Sequence, residues 1–167
     1  MWTLPSPSPF LGPRTVSPGA LSRIFTAAEI TAGSDLPALL ERARDASGNE
    51  YVFLGGAANV AAGVHVTFDE AGAVTLLAAN AIGPVAVALG AVTAGLRGWY
   101  QIYGVCTVAS TDTIAADKPM FIDGTAGRVD DAVVTGDLVL GEFSMTADTS
   151  NVATVFLSYP FVTDALG

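Results

Sequence analysis

The sequence predicts an all-β protein, built as a small antiparallel β-barrel or sandwich with an extended N-terminal arm. Short runs of β-branched and aromatic residues recur along the chain, and 18 glycines and nine prolines place turns between them. Few stretches carry a helical pattern. The chain has 167 residues, of which 51% are hydrophobic and 14% charged, so it can bury the core of one domain.

The first 20 residues, MWTLPSPSPFLGPRTVSPGA, are rich in proline and serine and are predicted to form the arm. Proline favours an extended backbone and removes hydrogen-bond donors, so this segment cannot build a core of its own. It nevertheless contains Trp2, Phe10 and Leu11, together with Arg14. We therefore expect an arm that contacts a neighbouring subunit, and a disordered tail is the alternative. The prolines also argue against a secretory signal.

Two elements that follow the arm are ambiguous. Residues 25–30 fit either a short strand or one helical turn. Residues 36–46 fit a helix capped by Ser34 or Asp35, or the first strand of a hairpin. The hairpin is preferred, because residues 45–49 form a turn signal that leads directly into the apolar run at 51–54. The sequence alone does not exclude the helix.

The segment VHVTF, residues 64–68, alternates between two faces of a predicted strand. Val64, Val66 and Phe68 are expected to face the core. His65 and Thr67 are expected to face outward, which makes His65 a surface or interface residue and not a ligand.

A charge-free run extends from residue 71 to residue 96 and is long enough to cross a bilayer. Asn80, Gly83 and Pro84 interrupt it, so it is interpreted as two or three buried strands joined by tight turns. Pro84 marks a strand start. The valines at 85 and 87 share one face with Leu89, and the alanines at 86 and 88 allow another layer or another subunit to pack closely on the other face.

The segment GWYQIYGV, residues 98–105, is predicted to be the central strand, because aromatic and β-branched side chains suit a half-buried pleated surface. It contains Trp99, Tyr100 and Tyr103. Cys106 follows it and is expected to be a buried small hydrophobe. Because this is the single cysteine, no intrachain disulfide can form, and nothing in the sequence brings His65 next to it as a base.

Residues 21–167 are predicted to form a single β-rich domain with a weak internal duplication, covering about 60–105 and 114–160. Each unit reads as a hairpin, a strand and a long aromatic strand, and the offset from Asp69 to Asp123 is 54 positions. Two such units argue for a small barrel or sandwich, in which closure or stacking limits exposed sheet edges.

The composition and motifs exclude several function classes. The formal net charge is −9, and residues 98–167 carry nine acids and two bases, so nucleic acid and anionic membranes are disfavoured partners. The sequence has no HExxH, paired CxxC, GxSxG, Walker A or GxGxxG motif. The acids Asp123, Asp130 and Asp131 do not have EF-hand spacing. We expect no catalytic residues, no cofactor and no metal, and the protein is predicted not to be an enzyme.

Five segments in order resemble the capsid decoration, or cement, proteins of tailed bacteriophages. They are the turn and strand GNEYV at 48–52, the hairpin segment at 60–69, GPVAVA at 83–88, GWYQIYG at 98–104 and FIDGTAGRV at 121–129. The resemblance covers roughly residues 45–143 and rests on structural motifs, none of which is diagnostic alone. One departure is Asp117, which stands where the family has a glycine in the second hairpin and is followed by Lys118 and Pro119.

The resemblance implies a virion protein on the outer capsid surface, made in the bacterial cytoplasm. It implies a homotrimer that binds the major capsid protein and bridges neighbouring capsid subunits, which stabilises the head against internal DNA pressure. The residues expected to contact the capsid or other subunits are four in the arm and three in the aromatic strand: Trp2, Phe10, Leu11, Arg14, Trp99, Tyr100 and Tyr103.

Two other functions remain open from the sequence. One is another structural component of a virion or tail. The other is a small glycan- or ligand-binding β module, which would need Trp99, Tyr100 and Tyr103 exposed along a groove.

Overall fold

The computed structural model describes residues 14–15, 17–33, 36–111, 113–148 and 150–163. The prediction of an all-β protein is confirmed, because the described residues form one large sheet with two short helices, α1 (Pro18–Leu21) and α2 (Ala27–Ala32). The sheet is mostly antiparallel and does not close on itself. Its strands are β1 (Arg14–Thr15), β2 (Arg42–Arg44), β3 (Glu50–Gly55), β4 (His65–Phe68), β5 (Val74–Leu76), β6 (Gly83–Ala88), β7 (Arg97–Ala109), β8 (Pro119–Ile122), β9 (Val129–Asp130), β10 (Leu138–Ser144) and β11 (Val152–Val162).

The sheet is organised around β7, which pairs with β3, β6 and β11. The strand order is β1-β2-β3-β7-β6-β11-β10-β8-β9, and β4 joins β5 to β6. The first half of β7 pairs with β3, with Trp99 opposite Phe53, and the second half pairs with β11, with Val105 opposite Phe156. The prediction of a central aromatic strand is therefore confirmed, and the strand is longer than the aromatic run that predicted it.

Both faces of the inner strands are covered, which gives the sheet its sandwich-like packing. On β6, Val85 and Val87 belong to one buried cluster, and Ala86 and Ala88 belong to another. The small alanine side chains let the second layer approach closely, as predicted. A third cluster lies beside them and contains Leu21, Phe25, Ala43, Tyr51, Phe53 and Trp99.

The two ambiguous elements are resolved by the structure. Residues 42–55 form an antiparallel hairpin, β2–β3, so the hairpin interpretation is correct for the end of 36–46, whereas residues 36–41 form a turn and irregular segment before the strand. Residues 27–32 form a helical turn and a half, α2, which begins at Thr26 with a capping box and ends at Gly33 in the left-handed conformation. The backbone N–H of Thr26 and the guanidinium of Arg23 donate to Glu29 and lower its pKa to about 2.

The prediction that His65 faces outward is wrong, because its side chain is completely buried. The alternation itself is present, since Val66 packs in the cluster with Ala86 while His65 points to the opposite side of β4. That opposite side is covered by the second layer, where the side chain of His65 meets that of Glu142 on β10. Alternation along one strand reports which residues share a face, and it cannot report whether the other face is solvated.

Only the end of the predicted arm lies in the described part of the chain. Arg14–Thr15 pairs in parallel with β2, and Pro18–Leu21 is helical with Leu21 buried. Trp2, Phe10 and Leu11 lie outside the described residues. The domain division at residue 20 and the internal duplication stay predictions. Within the described residues, neither helix is long and apolar enough to cross a membrane.

Candidate interaction surface

One side of the β7–β11–β10 region is apolar and is left partly exposed by the described residues. Cys106 and Val155 lie opposite each other on β7 and β11 and point into the core. The neighbouring pair, Val105 and Phe156, therefore points the other way, because successive side chains alternate between faces. Phe143 on β10 pairs with Phe156 on the same outer side. We call the outer residues Tyr103, Val105, Phe143, Phe156 and Tyr159 the aromatic face.

The rings of the aromatic face form an unbroken row. The ring centres of Phe143 and Phe156 are 5.6 Å apart in a stacked arrangement, and those of Phe156 and Tyr103 are 5.5 Å apart in an edge-on arrangement. Tyr103 and Tyr159 follow at 5.3 Å. Nevertheless, Phe143 is 44% exposed and Tyr159 is 48% exposed. Adjacent, partly exposed aromatic side chains of this kind are typical of interaction sites, which makes the face a candidate.

Tyr159 is held in place by its backbone and by a hydrogen bond. Its φ of 50° is in the left-handed region and is followed by Pro160, so β11 bends at this point. The hydroxyl donates to Oε2 of Glu50 at 2.8 Å. This hydrogen bond to a carboxylate, together with burial, raises the pKa of Tyr159.

The Tyr159 end of the face is the charged end. The guanidinium of Arg42 lies 5.8 Å from the centre of the Tyr159 ring, within the range of a cation–π contact. Arg44, two residues further along β2, lies 3.6 Å from Oε1 of Glu50. The rings of Phe143 and Phe156 form the other, uncharged end of the row.

A shallow groove of about 380 Å³ adjoins the face at Val105. Its floor includes Gln101, whose Nε2 donates to the carbonyl oxygens of Tyr103 and Val105 at 3.1 and 2.9 Å. Thr107 and Val152 form part of its wall. The side-chain amide of Gln101 thus fixes the backbone of β7 where it leaves β3 and meets β11, which keeps the aromatic face rigid.

A polar pair lies beneath the sheet. Nε2 of His65 is 2.9 Å from one carboxylate oxygen of Glu142 and 3.1 Å from the other, and both side chains are fully buried. Nδ1 of His65 has no hydrogen-bond partner among the described residues. Because neither side chain is exposed, the pair is placed to stabilise the packing of β4 against β10.

Two kinds of reactive group bear on catalysis in the described part of the chain, the cysteine thiol and clusters of metal ligands. Cys106 is buried. Its burial, and to a smaller extent the negative charge of Glu142, raises the pKa of its thiol to about 12. A thiol of this kind is a poor nucleophile at neutral pH. Among the described residues, no group of three or more His, Cys, Asp or Glu side chains could hold a metal ion.

The structure separates the predicted contact residues into different environments. Trp99 and Tyr100 are buried on opposite faces of β7, where Trp99 packs against Phe53 and the hydroxyl of Tyr100 donates to the carbonyl of Gly55 at 2.9 Å. Tyr103 is half-buried and belongs to the aromatic face. The backbone of Arg14 pairs with β2. The contact role of the predicted residues stays a prediction.

Sequence reasoning missed most of the aromatic face. Phe156 lies on a strand whose two faces, Val152-Thr154-Phe156 and Ala153-Val155-Leu157, are both largely apolar. The alternation therefore has too little contrast to identify the outer face. The sequence did contain one signal for an outward-facing position. Phe143 and Tyr159 are aromatic residues that each stand beside a charged or polar neighbour.

Comparisons with known proteins give one informative likeness. No protein-family model matches the sequence, and no curated protein matches it. Among solved structures, the chain is similar to the N base of the head fiber protein gp8.5 in bacteriophage phi29, with a TM-score of 0.51 and 15% sequence identity. The match covers 67% of this chain and 96% of that chain. The likeness shows a shared fold.

Proposed function

We propose that this protein is a structural component of a tailed-phage virion that binds the outer surface of the capsid and stabilises it by bridging neighbouring capsid subunits. The observation that carries the proposal is the shared fold with the base of a phage head fiber. The ordered resemblance to capsid decoration proteins in residues 45–143 supports it independently.

The surface chemistry is suited to such a role. The N-terminal arm, with Trp2 and Phe10, and the aromatic face together supply aromatic rings, the side chains that contribute most to protein–protein binding. The net charge of −9 repels packaged DNA and favours the outer side of the shell. The proposed partners are the major capsid protein and further copies of this chain in a homotrimer. The proposed role requires no cofactor, metal or enzymatic activity.

Cosedimentation of the purified full chain with DNA-free capsids of the phage that encodes it tests the proposal. The full chain is expected to bind saturably. Deletion of residues 1–13, which leaves β1 in place, is expected to weaken binding by about tenfold, or about 1.4 kcal/mol. Failure of the full chain to bind would overturn capsid binding. Unchanged binding after the deletion would overturn only the role of the arm.

Light scattering at several concentrations tests the homotrimer. A mass three times the 17.0 kDa of one chain is expected. A monomer at all concentrations would contradict a trimer formed before capsid binding.

The two other functions predict different results. Another virion or tail component would copurify with tail fractions and not with empty capsids. The glycan-binding alternative required Trp99, Tyr100 and Tyr103 exposed along a groove, and it loses two of these three residues because Trp99 and Tyr100 are buried.

A further inference from the structure

The aromatic face ends next to the point where the described chain begins. Arg14 pairs with Ala43, whose neighbour Arg42 places its guanidinium over the ring of Tyr159. Successive Cα atoms are about 3.8 Å apart. The described chain therefore begins, at Arg14, on the side of the Tyr159 end of the face.

The sequence of the preceding residues complements the chemistry of the face. Residues 5–13, PSPSPFLGP, contain four prolines, Phe10 and Leu11, and no charge. Proline-rich segments bind to grooves lined by aromatic side chains, because their backbone loses little conformational entropy and their rings pack against aromatic rings. The aromatic face presents four such rings in one row.

The segment is also long enough. Nine residues in an extended proline-rich conformation span about 28 Å, at about 3.1 Å per residue. The ring row from Tyr159 to Phe143 consists of three centre-to-centre steps of 5.3, 5.5 and 5.6 Å. A segment that starts beside Arg42 can therefore cover the whole row without crossing to another molecule.

We propose that residues 5–13 bind across the aromatic face of their own chain, with Leu11 and Phe10 next to Tyr159. The bound segment removes the exposed rings from water and is itself part of the outer surface of the protein. The proposal concerns the isolated chain and does not depend on capsid binding. Deletion of residues 1–13 would weaken capsid binding whether the arm touches the capsid or shapes this face.

Paramagnetic broadening in the full-length, ¹⁵N-labelled protein tests the proposal. A nitroxide is attached at Ser6→Cys, near the far end of the segment from Arg14, and Cys106 stays unlabelled because it is buried with a raised pKa. The amide signals of residues 143–145 and 156, at the end of the face away from Arg14, are expected to lose most of their intensity, and reduction of the nitroxide is expected to restore it. The loss should disappear in the labelled double variant Phe143→Lys, Tyr159→Ser, and it should persist with Val133→Lys, an 80% exposed site outside the face.

A mixed sample decides which chain supplies the segment. Spin-labelled ¹⁴N protein is combined with ¹⁵N protein that carries no label, so only contacts between molecules broaden signals. No broadening in this sample, with broadening in the directly labelled one, supports binding within the chain. Broadening of the face in the mixture would show that another copy supplies the segment, and no broadening in either sample would show that the face is unoccupied; both results overturn the proposal.

Discussion

His65 on β4 and Glu142 on β10 meet in the interior with Nε2 2.9 Å from the nearer carboxylate oxygen, although 77 positions separate them in the sequence. Neither side chain is exposed. A buried acid and a buried imidazole stabilise a fold only while each satisfies the other, because either group alone would remain desolvated without a partner. The pair therefore ties β4 to the opposite layer.

Removal of one partner is expected to be costly. Glu142→Ala should lower the free energy of unfolding by about 3 kcal/mol, since it leaves buried His65 without its hydrogen-bond partner. Urea denaturation measures the loss, and Glu70→Ala, at an exposed turn, is the control and should change stability by less than about 0.5 kcal/mol. The double variant His65→Leu, Glu142→Leu should lose less unfolding free energy than the sum of the losses in the single variants His65→Leu and Glu142→Leu. In the double variant, neither polar group is left buried without its partner. Strict additivity would show that the two side chains are not coupled.

Alkaline pH is expected to destabilise the fold through its tyrosines. Burial raises the pKa of Tyr100 and of Tyr51, and the hydrogen bond to Glu50 raises that of Tyr159. Because the folded state keeps these protons longer than the unfolded state, the stabilisation is complete below an unfolded pKa of about 10 and declines as the pH rises above it. Buried Tyr51 and Tyr100 each contribute a slope of up to about 1.4 kcal/mol per pH unit in this range, and the half-exposed Tyr159 contributes less because solvent screens it.

Unfolding in urea between pH 9 and pH 12 measures this slope. Tyr100→Phe removes one titrating group and is expected to make the decline shallower, while the loss of its hydrogen bond to Gly55 lowers stability at neutral pH by about 1 kcal/mol. An identical slope in the variant would show that Tyr100 does not keep its proton in the folded state.

Gly104 on β7 is expected to resist substitution. Its φ of 96° is unfavourable for other residues, and a Cβ at this position would overlap the side chain of Asn49. Asn49 cannot easily move away, because its Nδ2 donates to Asp45 at 2.8 Å. Gly104→Ala should therefore cost at least about 2 kcal/mol of unfolding free energy, measured by denaturation. Gly124→Ala is the matched control, because nothing lies within 4 Å of its added Cβ, and equal losses in the two variants would contradict this account.

The sequence predicted the central strand and the β2–β3 hairpin, because both depend on local patterns. Residues such as Trp99 and Tyr100 suit a strand wherever it lies, and a turn followed at once by an apolar run indicates a hairpin. The burial of His65 and the outward direction of Phe156 depend instead on which layer covers which face. That information is carried by pairings between distant strands, and alternation within one strand does not contain it.

Cys106 is expected to be almost unreactive in the folded protein. Its thiol lies in the core between β7 and β11, and burial together with the charge of Glu142 raises its pKa to about 12. Compared with an ordinary thiol, the reactive thiolate is then roughly a thousandfold less abundant at neutral pH, and the enclosing side chains slow access further. Labelling with iodoacetamide should be slow in buffer and fast in denaturing urea. A surface cysteine introduced as Ala126→Cys, at an exposed turn, is the control and should react rapidly in both conditions. Rapid labelling of Cys106 in buffer would mean that β7 and β11 separate readily, which the long ladder between Val152 and Ser158 argues against.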